Sequence, residues 1–197
     1  METPDVTAKA ATAPVRDIPA DAIVIVPMRD HVLFPEVVSP IAIRRPMSVN
    51  AAQAAMRESK PFGVLMQRDS AVDEPVPGDM HGMGTIANVL RYVMAPDETH
   101  HLIVQGTKRF RIVEFLDGWP FLVARIEEVE EPETGTPEAE ARLLNLRQQA
   151  VEAVQLLPEA PRGLAEAIQG SGCAATRADT VAAYLDIGTA LKQDILE

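Results

Sequence analysis

The chain changes character near residue 131, and that change limits its possible folds more than any single motif does. Seven of the eight aromatic residues (Phe34, Phe62, Tyr92, Phe110, Phe115, Trp119 and Phe121) fall between 34 and 121, with only Tyr184 beyond. All eight methionines lie at or before Met94. After Glu131 the sequence turns to Ala, Leu, Glu and Gln, which favour helix. Between the two regimes, Glu127 to Glu140 holds seven glutamates, no basic residue, and both Pro132 and Pro137. Like-charge repulsion and two prolines make this stretch a joint. A β-rich unit over 22–131 and a helical subdomain over 132–197 are therefore predicted. Residues 1–21, mostly Ala, Thr, Pro and Asp without periodicity, bury too little apolar surface to offset their ordering entropy and are expected to be a disordered lead-in.

In the first unit short apolar runs alternate with turn signals. Ala22 to Val26 is a β-branched run that reads as a buried strand, and Pro40 to Ile43 is a brief second one. Pro46 suits the first turn of a helix, in which Val49, Ala52, Ala55 and Met56 recur on one face. Phe62 to Met66 follows as a strand, Asp73 to Asp79 as a loop, and Thr85 to Met94 as β structure. Ala95-Pro96-Asp97-Glu98 marks a hairpin turn into the strand beginning at His101. Gly106 predicts a bulge before Arg109 to Phe115, and Asp117-Gly118 turns the chain into Phe121 to Ile126. The fold class is α+β: a small barrel of about six strands with one embedded helix, then an α-helical subdomain.

The helical subdomain reads as successive helices. Thr136-Pro137-Glu138 starts one that carries Leu143, Leu146, Ala150, Val154 and Leu157 and ends at Pro158 and Pro161. A short helix spans about 162–169 and stops at Gly170-Ser171-Gly172. Thr176-x-x-Asp179 is a capping-box variant opening a third, with Val181, Ala182 and Leu185 on one face. Thr189 caps a fourth containing Leu191 and Ile195, and the sequence stops in mid-helix. That predicts a chain continuing past residue 197, unless Leu196-Glu197 is foreign to it.

Charge and cysteine usage restrict the partners. Eighteen basic against 29 acidic residues leave a net charge of −11, which disfavours nucleic acid and anionic membranes. One cysteine, Cys173, makes no intramolecular disulfide, and the N-terminus carries no signal-peptide pattern, so a cytoplasmic location is expected.

A search for chemistry returns little. Gly82-Met83-Gly84-Thr85-Ile86-Ala87 has the letters of a dinucleotide fingerprint but follows a proline-rich loop and precedes a strand, so a turn is expected there. No phosphate loop or nucleophile elbow occurs, and Gly170-Ser171-Gly172 has no base beside it. His100 and His101 are adjacent in a strand and point to opposite faces; His31 and His81 sit in loops without ligand-spaced carboxylates. Lys108-Arg109-Phe110-Arg111 places two arginines on one strand face, where pairing with the abundant acids is simpler than phosphate binding. Hence no catalytic, cofactor-binding or metal-binding residue is assigned. Met80, Met83 and Met94 lie in or beside loops and are candidates for an adaptable apolar substrate-binding patch; the alternative is that they cover the end of the barrel.

The order of motifs resembles the N-terminal region of the ATP-dependent Lon proteases. The residues that carry the resemblance are Pro27-Met28-Arg29-Asp30-His31-Val32-Leu33-Phe34-Pro35, Pro40-Ile41, Asp73-Glu74-Pro75, Gly84-Thr85-Ile86-Ala87 and Val104-Gln105-Gly106-Thr107-Lys108-Arg109-Phe110-Arg111-Ile112. Ala178-Asp179-Thr180-Val181-Ala182 and Lys192-Gln193-Asp194-Ile195-Leu196-Glu197 continue it, so that it covers about 22–197. The resemblance implies a PUA-like barrel with a helical continuation, a role in recruiting unfolded or damaged proteins, and assembly into a hexamer. It also implies a parent AAA+ serine protease that uses ATP and Mg, with ATPase and Ser-Lys protease domains beyond residue 197. The fragment itself is then expected to be no enzyme. Two other functions remain: an RNA-binding module, which PUA-like folds also provide, and a purely structural oligomerisation domain.

Overall fold

The computed structural model describes residues 17–97 and 99–130, helical positions within 141–152, and residues 174–197, the last with side chains from Ala178 onward. Of the expected Glu127–Glu140 joint, residues 127–129 belong to a strand paired with Arg109 to Arg111 instead, and residues 131–140 lie outside the described residues, as do the short helix at 162–169, the Gly170-Ser171-Gly172 loop, Cys173 and the lead-in up to residue 16.

Six strands form one mixed sheet: β1 (Ala22–Met28), β2 (Val38–Ile43), β3 (Phe62–Met66), β4 (Met83–Met94), β5 (His100–Leu116) and β6 (Val123–Val129). β1 is buried almost throughout because it has neighbours on both edges, β3 in parallel and β6 antiparallel. The parallel pair needs a crossover, and the segment supplying it contains β2 and helix α1 (Pro46–Arg57). Small residues on α1 (Ala51, Ala52, Ala54, Ala55) are buried and join Val24, Val26 and Phe62 in the main core cluster. This is the one embedded helix expected from the sequence, with Pro46 at its start.

Antiparallel pairings join β3 to β4 and β4 to β5, and the C-terminal half of β5 pairs with β6. The pairings therefore run in a circuit, β1–β3–β4–β5–β6–β1. β2 stands outside it and pairs only with the first half of β5 among the described residues. The result is a curled sheet with an open edge at β2, looser than a regular closed barrel. β5 is long enough to serve both halves because its register shifts: Thr85 faces Arg109 while Ala87 faces Gly106. That irregularity is the bulge expected after Gly106. Glycine is needed there, since a Cβ would stand 2.2 Å from the Phe34 carbonyl oxygen, where residues 34–37 cross the strand. A Cβ on Gly84 would likewise meet the Val64 carbonyl oxygen at 2.4 Å and the Phe110 ring.

Fully enclosed Phe34, Phe62 and Phe110 anchor the interior, each contributing roughly 1.5–3 kcal/mol on burial. Between 141 and 152 the described helical positions are exposed. Helices α2 (Ala174–Tyr184) and α3 (Thr189–Leu196) lie against the sheet unit through Ala182 and Leu196, which pack with Val32, Phe34, Val37 and Met66. Two helix starts differ from expectation. α2 begins at Ala174, ahead of Thr176, and Asp179 is inside the helix with another task. The N-cap of α3 is Gly188, not Thr189. Leu185, Leu191 and Ile195 face solvent, and the polar Gln193 is buried instead.

Candidate functional site

The three methionines singled out in the sequence do not come together. Met80 is 3% exposed, bridges to Gln67 and packs with Ile25, Leu65 and Phe110. Met83 is 5% exposed and opens β4. Both are corrections to the expected loop patch: the loop before them is short enough that the chain is already pairing at Met80, so their thioethers turn inward. Enclosed side chains offer a partner no surface. Met94 is 65% exposed, but it follows Tyr92 on the inward-facing side of β4, past the end of the core.

A different apolar surface is assembled on the outer face of β2, β5 and β4. Cross-strand register lines up Pro40, Ile103 and Arg91 in one row and Ala42, His101 and Val93 in the next. All six are exposed, because the opposite side chains (Ile41, Leu102) fill the core. Val38 extends the face along β2. A second register shift between Val89 and Arg91 inserts Leu90 as an extra residue, and its side chain is also exposed. Arg91 is the one fully charged side chain in the two rows. These apolar positions stand together on the solvent-facing side of the sheet.

The seam between sheet and helices has the opposite chemistry. Arg109 of β5 makes a bidentate ion pair with Asp179 of α2, at 2.9 and 2.5 Å, and donates from Nε to the Leu196 carbonyl at 3.1 Å. Asp179 is 2% and Arg109 13% exposed at the side chain. Gln193 Nε2 donates to the Met83 carbonyl at 2.9 Å, and Glu197 pairs with His81 at 3.2 Å. Of the arginine pair that the sequence analysis matched with acids, Arg109 has therefore found an aspartate of α2. This seam was not recognised from sequence, because Asp179 and Gln193 stand among other polar residues of their helices.

Among the described residues no cluster of three or more His, Cys, Asp or Glu side chains could hold a metal. His101 faces outward, while His100 hydrogen-bonds the Tyr92 hydroxyl, as adjacent strand positions require. Burial, with Lys192 nearby, pushes the pKa of His31 down, so the ring is neutral at pH 7 and partners the Ser39 hydroxyl at 3.2 Å. β4 begins directly after Gly82, so the fingerprint-like glycines are a turn into a strand.

Comparison with known proteins bears on this architecture. Residues 22–197 match the family described as ATP-dependent protease La (LON) substrate-binding domain. The chain is 50% identical over 183 residues to the Lon protease of Phenylobacterium zucineum, covering 92% of this chain and 23% of that protein. It is 47% identical over 177 residues to the Lon protease of Methylocella silvestris, covering 90% and 22%. The chain thus spans under a quarter of the length of these curated relatives. Among solved structures, the N-terminal domain of Mycobacterium avium complex Lon protease superposes with a TM-score of 0.69 at 20% identity, covering 89% of each chain. The Lon N-terminal domain protein from Xanthomonas campestris gives 0.51 at 18% identity, covering 83% of this chain and 98% of that one. At these identities the structural likeness concerns the fold.

Proposed function

This chain belongs to the family of ATP-dependent protease La (LON) substrate-binding domains, and we propose that it recruits unfolded or damaged polypeptides through the outer face of β2, β5 and β4. The observation that carries this is the register that places Pro40, Ala42, Val93, His101 and Ile103 side by side in solvent. Such a face gains free energy from any apolar segment and reads no fixed sequence, which is what recognition of misfolded chains needs. Burying about 300 Å² of it at about 25 cal/mol/Å² yields ~7 kcal/mol before association costs, so one domain binds in the micromolar range or weaker. Several copies held in an oligomer of the parent protein supply avidity. In this proposal the parent is an ATP-dependent serine protease, with ATP and Mg used outside this segment, and the segment itself performs no hydrolysis. A cytoplasmic setting is part of the same proposal. The net charge of −11 disfavours an RNA-binding role.

Binding of the 197-residue chain to a permanently unfolded protein, its native form and a single-stranded RNA tests this. The unfolded form should bind, with the other two negligible, and a Val93→Ser, Ile103→Ser double variant should weaken binding about tenfold or more. Equal binding of the native form, tighter binding of RNA, or an unaffected double variant would contradict it.

A further inference from the structure

The N-terminus of α1 is an uncapped end of the helix flanked by arginines. Pro46 sits at N1 and has no N–H; the first helical bond is Val49 N–H to the Arg45 carbonyl. The N–H groups of Met47 and Ser48 therefore have no acceptor within the helix. The N-cap, Arg45, makes no side-chain cap, and the first turn carries no acid to meet the positive end of the helix dipole. A basic residue at this position, without a carboxylate beside it, is the reverse of the usual arrangement.

Arg45 sharpens the imbalance. It donates from Nη1 to Gln67 Oε1 at 2.8 Å and to the Asp73 carbonyl at 3.1 Å, and from Nη2 to the Pro27 carbonyl at 2.8 Å. All of these acceptors are neutral, so its charge has no carboxylate in direct contact. Burial and the neighbouring Arg29 push its pKa down more than the more distant Asp73 carboxylate lifts it, yet a guanidinium stays charged at neutral pH. Its Nε–H has no partner among the described residues.

Arg45 lines a groove of about 500 Å³ together with Arg29, Arg44 and Asp30. Ser48 lines it too: the residue is 1% exposed, and its Oγ is an enclosed hydroxyl with no hydrogen-bond partner among the described residues. An enclosed hydroxyl without a partner is unfavourable, so it points to a missing acceptor. Arg44, largely exposed, donates from Nε to Thr99 Oγ1 at 2.7 Å and from Nη2 to Asp97 at 3.2 Å, which leaves its Nη1 hydrogens free. Arg29 is held by Asp73.

We propose that this groove binds a phosphate group, held by the N–H and hydroxyl of Ser48 and the remaining donors of Arg44 and Arg45. The number of donors decides the ligand class. A backbone N–H, a hydroxyl and two guanidinium groups suit the several acceptor oxygens and double charge of a phosphate better than the two oxygens of a carboxylate. The source is a free phosphate ion or a phosphorylated side chain of a bound polypeptide. The site is separate from the apolar outer face, although Ala42 and His101 border both.

The test is a titration of the ¹⁵N-labelled 197-residue chain with inorganic phosphate at constant ionic strength, and in parallel with a short phosphoserine peptide. The Ser48 amide resonance should move and saturate by about 20 mM ligand. Arg44→Gln, a change at an exposed side chain, should weaken binding about tenfold, and Ser48→Ala several-fold. Saturation by inorganic phosphate alone assigns the free ion, and saturation by the peptide as well assigns a phosphorylated side chain; each supports the site. No saturable shift with either ligand, or a saturable shift that both variants leave unchanged, would overturn it.

Discussion

The seam between sheet and helices and the outer face of β2, β5 and β4 invert the usual placement of polar and apolar groups. At the seam, charged and amide side chains are buried: Asp179, Arg109 and Gln193. On the outer face, Val93 and Ile103 stand in water. The difference lies in whether partners are present. Each buried polar group of the seam is satisfied inside the chain, by an ion pair or a backbone carbonyl, so the seam fixes geometry. The apolar groups of the face are exposed among the described residues, so their free energy remains available to another molecule.

Breaking the seam should have the largest effect. Arg109→Met leaves Asp179 buried without its cation, and the expected loss is about 3–5 kcal/mol of unfolding free energy by urea denaturation. A loss below about 1 kcal/mol would mean that water replaces the arginine and that the seam is not a determinant of the fold. The core methionine comes next. Met80→Ser removes an enclosed thioether and inserts a hydroxyl, with an expected cost of about 2–4 kcal/mol. The smallest effect belongs to Met94→Ser at the exposed end of β4, where thermal melting should register a change within roughly 0.5 kcal/mol. If Met80→Ser were as mild as Met94→Ser, the inward placement of Met80 would be wrong.

Which parts of this were legible beforehand follows the range of the interactions. β1, α1 with Pro46 at its start, and the turn at Ala95-Pro96-Asp97 are set by local chemistry, and short windows of sequence showed them. The bulge after Gly106 was legible because a lone glycine in a strand signals close backbone approach. The Arg109–Asp179 pair joins residues 70 apart in sequence, and no window contains both. Met80 looked like a loop residue because its pairing with Gln67 spans an irregular segment that carries no period-2 signal. The outer face was hidden for another reason. His101-Leu102-Ile103-Val104 reads as a continuous buried run, whereas only Leu102 and Val104 face the core. Ile103 is an apolar residue in excess of what the core needs, and that surplus was the available sign of the contact surface.

The central claim is that unfolded polypeptide docks on the outer face of β2, β5 and β4. The most direct measurement is an amide chemical-shift map of the 197-residue chain, titrated with an unfolded protein and, separately, with its native form. The unfolded form should shift Ala42, Val93, His101 and Ile103, and the native form none of them. Shifts centred on the α2–α3 helices, or the same pattern from the native form, would contradict it.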